Sequence, residues 1–163
     1  MANEAEFLWG SLDTSLTVTN LQSLDDGEVW YSDQQTQTTT AAMKLRVFYD
    51  LEYLSTDTPT AGDNIIFRLA AGDGTNIDGN VPASQGHTAT AALVAEYQAG
   101  CRRVHTHHYA TSAAKTLTGH FDIDDPPMYW TLVIENDSDS PSELESTNQA
   151  ISFKYGSPQY QTT

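Results

Sequence analysis

The sequence predicts an all-β fold: an antiparallel β-sandwich or jelly roll of about eight strands with at most one short helix. The strongest sign lies in residues 44–53. There Leu45, Val47, Tyr49, Leu51 and Tyr53 alternate with Lys44, Arg46, Asp50 and Glu52, and Phe48 is the one apolar residue among the polar set. A period of two held over ten residues puts one face of a strand in a core and the other in water. A second sign is residues 129–135, Tyr-Trp-Thr-Leu-Val-Ile-Glu, a run apolar enough to be covered on both faces. Turn-forming clusters of Gly, Pro, Asp and Asn recur at short intervals between such runs, which suits a sandwich better than helices.

Residues 1–10 read as an N-terminal arm ahead of one β-sandwich domain over 11–163. The arm carries Phe7, Leu8 and Trp9 on an otherwise polar, acidic stretch. Three large apolar residues there either fold back on their own domain or anchor the chain to a partner. Leu16 and Val18 suit a first strand, in a Ser/Thr-rich stretch that ends at the turn Asp25-Asp26-Gly27. Residues 28–32 form a second strand, and 33–40 a polar loop or exposed edge. The long strand covers 43–54, and a loop with Pro59 and Gly62 leads to a strand over 64–71. Residues 72–80 are dense in residues that tolerate positive φ and form a long turn. The Ala-rich stretch 88–98 supports one or two helical turns. Strands follow at 101–109, 115–123 and 129–135, then a polar loop over 136–145. Alternating Ile151, Phe153 and Tyr155 close the chain.

A chain of 163 residues with 39% hydrophobic and 10% aromatic residues has the length and content for one real core. No segment approaches the ~20 apolar residues that a membrane helix needs. The first residues lack the basic start and apolar stretch of a signal peptide, so none is expected. Cys101 is alone and can form no intrachain disulfide. The sequon Asn136-Asp137-Ser138 therefore carries no expectation of glycosylation.

Charge is the strongest compositional signal, with 22 acidic residues against 7 basic and a net of −15. Residues 1–40 hold seven carboxylates and no Lys or Arg; residues 122–145 hold eight and none. Phosphate backbones are bound by Lys and Arg that displace counterions, so direct nucleic-acid binding is not expected. Solubility accounts for the acidic excess without any further function.

Reactive constellations are scarce. His105, His107 and His108 cluster, and His105 and His107 share a face on a strand, as a zinc pair does. Nothing at ligand spacing completes such a site, and Arg102 and Arg103 adjoin it, so no metal is expected. The cluster reads instead as a mildly basic strand face. The turn starting at Asp73 places Ile77 fifth and Ser84 twelfth where a calcium loop of the EF-hand type needs oxygen ligands. There is no Gly-x-Ser-x-Gly elbow, no His-Glu-x-x-His and no P-loop. The sequence thus nominates no catalytic residue, no cofactor and no enzyme.

The order of signals resembles the capsid decoration, or cement, proteins of tailed bacteriophages, across roughly residues 11–155. The resemblance runs through Leu16-Thr17-Val18, Leu21-Gln22-Ser23-Leu24, and Leu45-Arg46-Val47-Phe48-Tyr49. It continues through Ile66-Phe67-Arg68-Leu69-Ala70-Ala71-Gly72-Asp73-Gly74-Thr75, Gly119-His120-Phe121, Tyr129 to Asn136 and Ala150-Ile151. The resemblance implies a jelly-roll virion protein without enzymatic activity. Such a protein sits on the outer surface of the head, binds the major capsid protein and stabilises the expanded shell. It also implies self-association around a local symmetry axis, the trimer favoured over the dimer. Phe7, Leu8 and Trp9 are then the candidate anchor to the capsid. The alternative is a carbohydrate-binding β-sandwich module or adhesin on the virion surface, for which Trp9, Trp30, Trp130 and eight tyrosines supply candidate platforms.

Overall fold

A computed structural model describes residues 6–10, 14–37, 43–54, 56–57, 59–109, 115–138 and 143–159. They form two antiparallel sheets, one of five strands and one of six. In chain order the strands are β1 (Glu6–Trp9), β2 (Thr14–Ser15), β3 (Val29–Tyr31), β4 (Gln35–Thr36), β5 (Lys44–Glu52) and β6 (Asn64–Gly72). There follow β7 (Gly86–Thr88), helix α1 (Ala91–Gly100), β8 (Arg102–His108), β9 (Thr116–Asp124), β10 (Tyr129–Asp137) and β11 (Ala150–Gln159).

The pairings nest about the middle of the chain. β6 pairs with β8, β5 with β9, β3 with β10 and β2 with β11. The five-stranded sheet runs β1-β11-β5-β9 with β2 also on β11; the six-stranded sheet runs β7-β3-β10-β6-β8 with β4 also on β10. Ignoring the short β1, β4 and β7, this is the strand order of a jelly roll, a long antiparallel ribbon wrapped on itself.

The period-two reading of β5 sets the inner face. Leu45, Val47, Tyr49, Leu51 and Tyr53 are all buried, and they meet Trp30, Phe67, Trp130, Leu132 and Ile134 of the six-stranded sheet in one core. β10 has seven successive buried residues, because its outer face is covered too. Val133 packs there with Ala70, Ile77, Val81, Tyr97 and Cys101 in a second cluster beneath α1. Burying two such layers, at about 25 cal/mol per Å² of apolar surface, is what a chain without a disulfide relies on.

Three expectations need adjusting. The strand expected around Leu16 and Val18 is only Thr14–Ser15, followed by a 3-10 turn over Thr19–Leu21. Leu16, Leu21 and Leu24 are buried all the same, since a loop can fill a core without keeping a strand's period of two. The helix spans Ala91–Gly100, somewhat later than 88–98. The short strands β1, β4 and β7 add to the eight expected, and at two to four residues they are too brief to show a period.

Candidate functional site

The antiparallel order fixes two opposite ends of the sandwich. At one end lie the start of β5, the start of β10, the end of β9 and the start of β8. At the other lie the ends of β5 and β10 and the start of β6.

The second end is acidic. Glu52 and Asp137 close β5 and β10, and Asp63 precedes β6. Asp25, Asp26 and Glu28 gather on the Asn136–Ser138 segment, where the Asn136 amide donates to the Glu28 carbonyl and the Ser138 hydroxyl to Asp26. Asp57 accepts the Glu143 backbone N–H, and the Glu145 N–H donates to the Glu52 carbonyl. Among the described residues Lys115 is the one lysine or arginine that accompanies them.

The first end is different. Met43 and Met128 are 47% and 50% exposed, and with Leu93 they make up the large exposed hydrophobics of the described residues. They are tied in place by their backbones: Met43 accepts from the Asp125 N–H, and Met128 from the Gln37 N–H. Beside them a shallow groove of about 290 Å³ is lined by Leu69, Ala71, Asp78, Gly100, Arg102, Asp125 and Pro127. Arg102 and Arg103 are both exposed.

The five-stranded sheet continues this end onto its outer face. Cross-strand register sets Trp9, Gly156, Lys44 and Asp124 in one row. The Arg46 guanidinium lies 4.2 Å from the centre of the Trp9 ring and grips Asp122 with two hydrogen bonds, Nε to Oδ1 at 2.6 Å and Nη2 to Oδ2 at 2.7 Å. That fork holds the Asp122 carboxyl below its ordinary range and lifts Arg46 further. The Lys44 ammonium donates to Asp124 at 2.7 Å, which raises its pKa. Gly156 makes the row possible, because a Cβ there would sit 3.1 Å from the Trp9 ring. Further along, Lys154 lies 4.8 Å from the Phe48 ring centre, and His120 packs on the other side of the same neighbourhood at 5.9 Å. A cation over an aromatic face contributes about 0.5–1 kcal/mol when exposed. It also lets an aromatic ring stand at the surface without a fully apolar face in water.

Of the expected anchor, Trp9 therefore belongs to this end. Phe7 and Leu8 pair with Pro158 and Ser157 within β1, but their side chains lie outside the described residues, as do residues 1–5 of the arm. Sequence reasoning missed Met43 and Met128 as exposed residues of this end, and Arg46 as the partner of Trp9. Arg46 was visible on the polar face of the long strand; its meeting with Trp9 depends on β11 lying between β1 and β5, which no local pattern announces.

The other singled-out residues take structural places. Trp30 and Trp130 are fully buried, so neither forms a platform. His105 and His107 share a face, but it points at Tyr49 and is half-buried rather than an open basic surface. Burial pushes the Cys101 thiol up to about 11, an unreactive setting. The Asp73 carboxylate accepts the N–H groups of Thr75 and Asn76, which keeps its pKa low. Asn136 is buried, donating to the Leu24 carbonyl and accepting from the Tyr53 hydroxyl. Among the described residues no three His, Cys, Asp or Glu side chains gather as metal ligands, and no helix is long and apolar enough to cross a membrane. Compared with known proteins, the chain matches no family model and no curated sequence.

Proposed function

We propose that this protein is a structural virion component that seats on the outside of a tailed-phage head and stabilises the expanded shell. It contacts the major capsid protein through the end that carries Trp9, Arg46, Met43 and Met128. The single observation behind this reading is the contrast between the two ends: one exposes Met43 and Met128 beside cations paired with carboxylates, and the other is crowded with carboxylates that, among the described residues, Lys115 alone accompanies. Exposed apolar clusters rimmed by polar groups mark interaction surfaces. The acidic end then points to solvent, away from the shell and its packaged nucleic acid.

The mechanism needs no reactive centre. A protein that binds the assembled shell and not its unassembled subunits stabilises that shell by mass action. Repetition at symmetric junctions, with copies grouped as trimers in preference to dimers, adds avidity to a modest single contact. The resemblance of strand and turn signals to decoration proteins and the jelly-roll strand order support the same reading. The carbohydrate-binding alternative is weaker: of three tryptophans only Trp9 reaches the surface, and its ring already carries Arg46.

Heads purified without the protein and then mixed with it provide the test. Replacing Trp9 with Ala and Arg46 with Glu together is expected to lower bound copies per head at least tenfold, with an unchanged circular-dichroism spectrum. Equal occupancy by the folded double variant would overturn the proposal, as would failure of the parent protein to bind expanded heads at all.

A further inference from the structure

The histidines of β8 take no part in the proposed docking end, yet two of them share a polar contact with Tyr49 on the flank of the sandwich. β8 and β9 are edge strands of opposite sheets, and Tyr49 bridges the gap between them. On β9 the residue opposite Tyr49 is Gly119. A Cβ at Gly119 would lie 2.5 Å from the Tyr49 hydroxyl, so the glycine is what lets this ring pass across β9 towards β8. The hydroxyl reaches both histidines, lying 2.9 Å from His107 Nδ1 and 3.3 Å from His105 Nε2. The His105 ring stacks on Phe121 of β9, with centroids 4.9 Å apart and planes at 13°. His107 meets Tyr49 edge-on and packs against Tyr109.

A neutral imidazole has one N–H and one bare nitrogen, and a phenol has one O–H and lone pairs to spare. Tyr49 can thus donate to one ring and accept from the other, satisfying all three groups. When both rings are protonated, each offers only N–H donors, and the Tyr49 hydrogen loses its acceptor.

We propose that Tyr49, His105 and His107 form an acid-released latch that holds the β8–β9 flank closed while both imidazoles are neutral. The surroundings make protonation costly. β8 itself adds Arg103 and His108, and Tyr109 follows it. β6 presents Phe67; β9 presents Phe121 and, on its outer face, His120. Among the described residues no carboxylate hydrogen-bonds to either ring; the Asp63 backbone carbonyl accepts the Tyr109 N–H, while its carboxylate accepts from the Thr60 N–H and hydroxyl. Burial, and then the neighbouring histidines, lower the affinity of His105 and His107 for a proton. The open flank therefore binds protons more readily than the closed one. The latch contributes fully above the ordinary histidine pKa of about 6.5 and is lost as pH falls below it.

Hydrogen exchange of the whole protein between pH 7.5 and pH 5, corrected for intrinsic rates, tests this. Amides of β8 and β9 should lose protection by about tenfold or more in acid, while those of β10 facing β6 lose less. In a His105→Gln, His107→Asn variant that acid response should vanish. In Tyr49→Phe, which keeps the ring and removes the bridge, β8 and β9 should already be less protected at pH 7.5. Flank protection that is equal at both pH values overturns the latch, and so does an undiminished acid response in the variant without these histidines.

Discussion

The outer face of the six-stranded sheet lies under α1, whereas among the described residues no helix covers the outer face of the five-stranded sheet. Both faces carry an arginine–carboxylate pair, and the pairs are built differently. Under α1, Arg68 and Glu135 meet at 3.0 Å with side chains only 12% and 7% exposed. The helix joins them, because Gln98 donates to Glu135 and its carbonyl accepts from Arg68. On the open face Arg46 and Asp122 are 27% and 31% exposed, and Arg46 shares itself with Trp9. The first pair ties a covering element down. The second holds an arginine over an aromatic ring at the surface. The covered face and the open face thus differ in how far their charges are buried.

The largest effect that would sharpen this contrast is expected at the covered pair. Arg68→Ala leaves Glu135 buried without its charge partner, and such losses cost about 3–5 kcal/mol. Chemical denaturation should show it as a lowered midpoint; a loss below about 1 kcal/mol would mean that α1 is not anchored through this pair. A middle-sized effect is expected at Gly156. Valine there must push the Trp9 ring away, and overpacking of this kind costs about 1–3 kcal/mol. Since Trp30 and Trp130 are buried, acrylamide quenching reports Trp9, and it should rise in Gly156→Val; unchanged quenching would place the ring elsewhere. The smallest effect is expected at the open pair. Arg46→Ala should cost about 1 kcal/mol or less in stability, as exposed ion pairs do, while weakening attachment to heads. A large stability loss there would assign Arg46 to the fold and not to docking.

Much of this architecture was legible in the residues. β5 announced its inner face through Leu45 to Tyr53, and β10 announced a cover on both sides through Trp130 to Ile134. The helix was readable only as Ala-rich composition, since Tyr97 is its one buried residue and no apolar stripe marks its contact. Leu16 and Val18 misled because their spacing of two was read as a strand in a segment that fills the core largely as a loop. The end proposed for docking was the least legible part. Met43, Trp9, Arg46 and Met128 are scattered along the chain, and only the β1-β11-β5-β9 order and the common end of β5 and β10 bring them together. His105 and His107 looked basic for the same reason: their burial against Phe121 and Tyr49 is a product of how the two sheet edges close.

Electron cryomicroscopy of decorated heads tests the central claim most directly, because it shows which end of the sandwich meets the shell. The expected map has Trp9, Arg46, Met43 and Met128 against the major capsid protein and the Asp25–Asp26, Asp57 and Glu143–Glu145 end facing solvent. A map with the acidic end seated on the shell, or heads whose outer surface carries no such density, would contradict it.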